Sequence, residues 1–178
     1  MCVCVCVCVC VCSVASCTAL LIQQNDGFGS MNRSWAEYKV GFGDPSGNYW
    51  LGNDLLSQLT ANYSYKLKFD LQSLTHGYWY VAEYSRFRVL PESYSYMLQV
   101  VGFSGSTRYD ALGDSSGVVF STFDRNNNYA AMYGGGFWYK LGYVVRCGVN
   151  AAFSTGYFQW NHLPGGSRLQ WSRMWLIC

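Results

Sequence analysis

Apolar and polar positions alternate most regularly between Tyr65 and Val101. Leu67, Phe69 and Leu71 interleave with Lys66, Lys68 and Asp70, and less regular runs follow over Trp79–Tyr84, Phe87–Leu90 and Tyr96–Val101. A period of two puts every apolar side chain on one side of a strand, so this stretch predicts antiparallel strands with one wet face. Upstream, Ala19–Ile22 reads as a short strand closed by a turn at Asn25, Asp26 and Gly27. Ser34 and Glu37 have the spacing of a capping box, which predicts a short helix that stops near Gly41, Phe42 and Gly43. A turn follows at Asp44–Gly47, and Asn53 then caps a second short helix with Leu56 and Leu59 three residues apart. Beyond Phe103 the chain is mostly Gly, Ser, Asn and aromatic residues, with strand signals at Val118–Phe123, Phe137–Tyr143 and Leu169–Leu176. The pattern predicts an α+β domain: a central antiparallel sheet, short helices and a C-terminal half built largely of loops, where binding sites are commonly carried.

Composition narrows this picture. A chain of 178 residues suits one domain with a core of its own. Aromatic residues make up 18% and charged residues only 12%, the balance of a loop-rich surface protein. The net charge of +2 points to no polyanion, and Lys and Arg are scattered along the chain, so no footprint for nucleic acid is visible. No apolar run reaches the ~20 residues of a membrane helix, which argues against membrane insertion.

The nine cysteines do not form a disulfide framework, because six of them, Cys2 to Cys12, alternate with Val in a strict repeat. Residues 1–16 are therefore taken as a low-complexity tract of the kind an alternating TG dinucleotide encodes. Its rivals are a strand with one Cys face and the apolar part of a signal peptide, the latter aided by Ser13, Val14 and Ala15 but lacking a basic start. Only Cys17, Cys147 and Cys178 remain for the domain at 17–178, and spacing alone does not fix their pairing.

The stretch from Val118 to Tyr139 concentrates the candidate chemistry. An apolar run breaks into Asp124, Arg125, Asn126, Asn127 and Asn128, and then into Gly134, Gly135, Gly136, Phe137, Trp138 and Tyr139. An Asp/Asn cluster between aromatic segments can supply oxygens to calcium, and it can equally be a turn. Catalysis has no comparable footing: His76 and His162 lie in turns with no visible nucleophile and acid arrangement, and the glycine run lacks the lysine of a phosphate loop, so the chain reads as non-enzymatic. Asn32 and Asn62 head glycosylation sequons completed by Ser34 and Ser64.

These residues together resemble the fibrinogen C-terminal (fibrinogen-related) domain. The likeness is carried by Asp26-Gly27, Asn32–Tyr38, Gly41–Gly43, Tyr49–Asn53, Ala82–Ser85, Val101–Gly105, Phe120–Asp124 and Gly135–Tyr139. Their order and spacing hold from about Leu20 to Tyr139 and resume at Gln159-Trp160 and Leu169–Leu176, and the Gly-Gly-Phe-Trp-Tyr form looks most like the branch of microfibril-associated glycoprotein 4 and the ficolins. The resemblance implies a secreted, extracellular, non-enzymatic recognition module that binds acetylated glycans or matrix glycoproteins and is often oligomeric. It implies a chain that lacks the family's first subdomain. By position, the family's calcium aspartates fall at Asp124 and Asn126, so calcium is the implied cofactor with one carboxylate lost. The cysteines that bracket the family's acetyl pocket fall at Tyr129 and Gly142, the following His at Tyr143, and the cis peptide at the Leu141–Gly142 bond, which without the disulfide is expected to be trans. Phe137, Trp138, Tyr139 and Tyr143 are the candidates for an aromatic ligand wall, with packed core as the competing reading. Three functions follow: a lectin-like module for acetylated glycans or glycoproteins, a matrix-protein module independent of sugar and calcium, and a degenerate chain that does not fold.

Overall fold

The computed structural model describes residues 18–25, 31–62, 65–126, 128–142 and 146–177. In chain order it contains strand β1 (Thr18–Asn25), helix α1 (Trp35–Val40), strands β2 (Phe42–Gly43) and β3 (Tyr49–Trp50), helix α2 (Asn53–Leu59), and strands β4 (Lys66–Ser73), β5 (Trp79–Val89) and β6 (Leu98–Gly105). Helix α3 (Tyr129–Tyr133) and strand β7 (Leu169–Ile177) complete it, with short 3-10 turns between. The expected turn at Asp26 and Gly27 lies outside the described residues, as do the Cys-Val tract and Tyr143.

All seven strands join one antiparallel sheet in the order β2-β3-β1-β7-β4-β5-β6. The last strand of the chain thus lies between the first and the fourth, which ties the loop-rich C-terminal half into the sheet centre. The period-two pattern sets its two faces. Leu67, Phe69 and Leu71 of β4, Ala82 and Tyr84 of β5, and Met174 and Leu176 of β7 are all buried. Their neighbours form rows across the outer face: Trp79, Gln72 and Trp171; Val81, Asp70 and Arg173; Glu83, Lys68 and Trp175. The two apolar runs Trp79–Tyr84 and Phe87–Leu90 belong to one long strand, β5.

Helix α1 has the capping box its sequence predicts. Ser34 Oγ accepts from the Glu37 amide, and the Ser34 amide donates to Glu37 Oε2 at 2.9 Å. The helix stops at Gly41, whose φ of +94° suits glycine and where a Cβ would stand 2.6 Å from the Leu51 carbonyl oxygen. The predicted turn after it also forms, with the Gly47 amide donating to the Asp44 carbonyl at 2.8 Å. Helix α2 departs from expectation, since its N-cap is Gly52 and no side chain caps it. Asn53 is instead fully buried and its Oδ1 accepts from Trp50 Nε1 at 3.1 Å. A buried acceptor loses most by going unpaired, and the Trp50 indole supplies the donor for this oxygen, while Asn53 Nδ2 has no partner.

Two predicted strands do not form. Val118–Phe123 and Phe137–Tyr143 meet only at a single bridge between Ser121 and Phe137. These segments fill a second part of the core under α1 and α2, where Tyr38, Trp50, Phe120 and Trp138 pack ring against ring at centroid distances of 5.1 to 6.1 Å. Bulky aromatics that pack on several elements at once satisfy burial without a ladder, so β-propensity overstates strand here. Among the described residues no helix is long and apolar enough to cross a membrane.

Candidate functional site

The loop at Asp124 is a tight turn. Thr122 and Arg125 exchange both backbone hydrogen bonds, at 3.0 and 3.1 Å, leaving Phe123 and Asp124 at its corners. Just before it, Ser121 and Phe137 exchange two more, and the Ser121 hydroxyl donates to the Phe137 carbonyl oxygen at 3.1 Å. The base of the loop is therefore locked to the glycine-aromatic segment.

The Asp124 carboxylate faces the start of α1. The Trp35 amide, the first of that helix, donates to Asp124 Oδ1 at 3.0 Å and lies 3.3 Å from Oδ2. The Thr122 hydroxyl donates to the same Oδ1 at 2.7 Å. Helices begin with amides that lack intrahelical partners, and Asp124 satisfies one of them from 89 residues away. A second tie lies alongside. The Arg125 guanidinium sits 3.9 Å from the Trp35 ring centroid and pairs with Glu92 Oε1 at 3.3 Å. Glu92 Oε1 also accepts from Trp35 Nε1 at 2.7 Å, and its Oε2 meets Lys39 Nζ at 2.5 Å. The Lys39 and Trp35 hydrogen bonds hold the Glu92 carboxyl below the usual range, and the Glu92 hydrogen bond raises the Lys39 ammonium. Sequence reasoning missed this cluster. Arg125, Glu92 and Lys39 belong to three separate segments, and nothing in their spacing brings them together.

The other expected metal residue, Asn126, has φ of +78° and its Nδ2 donates to the Phe120 carbonyl at 2.5 Å. The side chain thus closes its own loop, as Asn commonly does in left-handed turns. Among the described residues no group of three His, Cys, Asp or Glu side chains is placed to hold a metal. Calcium takes six to eight oxygens, whereas this loop brings one carboxylate, already engaged by a helix amide and a hydroxyl. The described residues of this loop do not fit a calcium ligand set.

Phe137, Trp138 and Tyr139 are 0%, 1% and 2% exposed and present no face to a ligand. Trp138 Nε1 donates to the Tyr96 carbonyl at 2.7 Å, and the Tyr139 hydroxyl donates to the Gly135 carbonyl at 2.9 Å, so both polar tips are satisfied inside. Burial pushes the Tyr139 phenol well above its usual range. The glycines before them are required by close approach: a Cβ on Gly136 would stand 2.6 Å from the Tyr38 ring, whose hydroxyl accepts from the Gly136 amide at 2.9 Å.

Tyr129 and Gly142, which stand by position where the resemblance puts a disulfide, do meet. The Gly142 amide donates to Tyr129 Oη at 3.3 Å, and the Leu141–Gly142 bond is trans. Cys147 is free and buried, its thiol raised by desolvation. His76 and His162 are exposed, as are the sequon residues Asn32 and Asn62.

Comparison with known proteins decides the family. The family model for the fibrinogen beta and gamma chains, C-terminal globular domain, matches residues 8–175. The chain belongs to the fibrinogen C-terminal domain family. Among relatives of this fibrinogen-related domain, human Angiopoietin-4 is 32% identical over 167 residues, covering 87% of this chain and 33% of that protein. Mouse Microfibril-associated glycoprotein 4 is 34% identical over 154 residues, covering 81% of this chain and 57% of that protein. The fibrinogen-like globe domain of human ANGPTL2 superimposes with a TM-score of 0.73 at 28% identity, covering 90% of this chain and 79% of that one. The chain thus spans about a third of the length of Angiopoietin-4. Fibrinogen-like domains are non-enzymatic binding modules, and the seven-stranded sheet with few short helices is their globe fold.

Proposed function

We propose that this fibrinogen-related domain is a secreted recognition module that binds a protein partner, a matrix protein or glycoprotein, without calcium and through the rim of the Asp124 loop. One observation carries the reading: the loop's carboxylate is engaged by the Trp35 amide, and the position of the second acid holds an Asn that closes its own turn. What the rim offers instead is aromatic and cationic. Phe123 and Tyr94 are exposed, and Arg125 and Glu92, each two residues from one of them in sequence, are bridged to each other. Exposed aromatics beside a fixed arginine are the side chains that anchor protein interfaces. One relative, Microfibril-associated glycoprotein 4, is named for its association with microfibrils, which supports the same partner class.

Solid-phase binding to elastin, collagen and fibrillin fragments, run with calcium and with EDTA, tests the proposal. Saturable binding of equal strength in both arms, weakened by Phe123→Ala and Arg125→Ala, is expected. Acetylated resin serves as the parallel lectin arm. Retention there that EDTA reverses would establish the acetylated-glycan reading, which rests on resemblance, and would remove the one proposed.

A further inference from the structure

The outer face of the sheet is not the polar surface that a wet antiparallel face ordinarily presents. Trp79, Trp171 and Trp175 all lie on it, with Val81 and Ile177. Trp79 is 49% exposed at the start of β5, and Trp171 stands across Gln72 from it, two strand spacings or about 10 Å away. Arg173 lies one row further along β7. Its guanidinium carbon is 5.7 Å from the Trp171 ring centroid and 6.0 Å from that of Trp79.

Among the described residues no carboxylate pairs with this arginine. Asp70, its partner in register, has both oxygens engaged elsewhere: Oδ1 with Lys68 Nζ at 3.0 Å and Oδ2 with Trp175 Nε1 at 2.7 Å. Arg173 Nε is buried and without a hydrogen-bond partner. The rest of the guanidinium lies between two indoles, a cation without a carboxylate partner on a partly exposed face. The charge around it leans positive. Among the described residues, the outer positions in the rows shared by β4, β5 and β7 carry three cations (Lys66, Lys68 and Arg173) against two anions (Asp70 and Glu83), and Lys68 and Asp70 pair with each other.

We infer that this face is a binding platform for an acidic polysaccharide. Sugar rings present apolar C–H faces that stack on indoles, and Trp79 and Trp171 are separated by about the length of a disaccharide unit. Arg173 between them meets the carboxylate or sulfate of that unit, and the flanking Lys and Arg side chains follow the chain's repeating charge. A row of rings spread along one sheet face suits a linear polymer better than the single deep anchor of a folded protein partner. This surface is separate from the loop rim and independent of the reading given to it.

Titration of the full chain with heparin, hyaluronan and desulfated heparin at about 150 mM salt, followed by Trp fluorescence and calorimetry, tests the inference. Saturable binding that weakens as salt rises is expected, and Trp79→Ala and Arg173→Gln each raise Kd about tenfold, the loss that truncating one anchor ordinarily produces. Binding to heparin alone assigns the anion as sulfate, and binding to all three assigns it as carboxylate. Phe123→Ala and Arg125→Ala leave these affinities unchanged. Trp79 is half exposed, so its variant keeps the fold and decides the matter if Arg173→Gln does not. No binding to any of the three polymers, a Kd unmoved by Trp79→Ala, or capture of poly-glutamate in place of them would overturn the assignment.

Discussion

Replacing Asp124 with Ala separates a structural carboxylate from a metal ligand. In the structure the carboxylate accepts from the Trp35 amide at 3.0 Å and from the Thr122 hydroxyl at 2.7 Å. Deleting it removes the partner of an amide at a helix start, a loss of about 0.5–2 kcal/mol for cap residues, and a charge-assisted bond places this one in the upper half of that range. Asp124 is largely solvent-exposed, which argues against anything larger. For a domain of 150–250 residues each kcal/mol moves Tm by roughly 2–4 °C, so Asp124→Ala lowers Tm by roughly 2.5–8 °C. Asp124→Asn, which retains an acceptor oxygen but no charge, falls between. The assay is thermal unfolding followed by circular dichroism, with millimolar calcium and with EDTA. The two conditions give the same Tm for the native chain and the same decrement for the variants. A metal held by Asp124 behaves differently, because a ligand at a hundred times its Kd stabilises by about 2.7 kcal/mol. A native Tm raised by calcium, with the rise abolished in Asp124→Ala, would refute the capping role.

Glu92→Gln tests the cluster over Trp35 through pH. The Glu92 carboxyl is held below its unfolded value of about 4.3, so its contribution is present in full above that value and is lost as pH falls through the lower folded one. The difference in Tm between the native chain and Glu92→Gln is therefore constant near neutrality and shrinks toward zero below about pH 4. A difference as large at pH 3 as at neutrality would show that the cluster owes nothing to the ionised carboxylate. Trp138→Ala removes a fully buried indole and a hydrogen bond to the Tyr96 carbonyl, so it costs about 3–5 kcal/mol and shows as a collapse of the cooperative melt, not as a selective loss of ligand. A variant that melts like the native chain would place Trp138 outside the core.

Much of the sheet was legible in the chain. Leu67, Phe69 and Leu71 alternate with polar residues because one side of β4 is packed and the other is not, and a period of two survives any detail of packing. The capping box at Ser34 and Glu37 was equally readable, since it is a contact between residues three apart. Less legible were Val118–Phe123 and Phe137–Tyr143, whose strand-like composition serves a many-sided aromatic core. Asn53 was read as a cap because Asn caps helices, but a buried indole nitrogen claimed its oxygen first.

The site divides in the same way. Local sequence marked Asp124 and Asn126 as a turn with oxygen ligands, and the family resemblance marked Tyr129 and Gly142 as positions where a crosslink was absent. Only the tertiary structure decided what the Asp124 carboxylate meets, because the Trp35 amide is 89 residues away and a loop that long leaves no trace in spacing. Charge shows the contrast most plainly. Along the chain Lys and Arg are scattered, at Lys66, Lys68, Arg86, Arg88 and Arg173 among others. Strand alternation turns Lys66, Lys68 and Arg173 outward, and antiparallel pairing of β4, β5 and β7 sets them in neighbouring rows with three tryptophans. The sequence by itself determined which residues face away from the core. Which of them share a surface was decided by the register of strands up to about a hundred residues apart, a long-range choice made by the packing of the whole sheet.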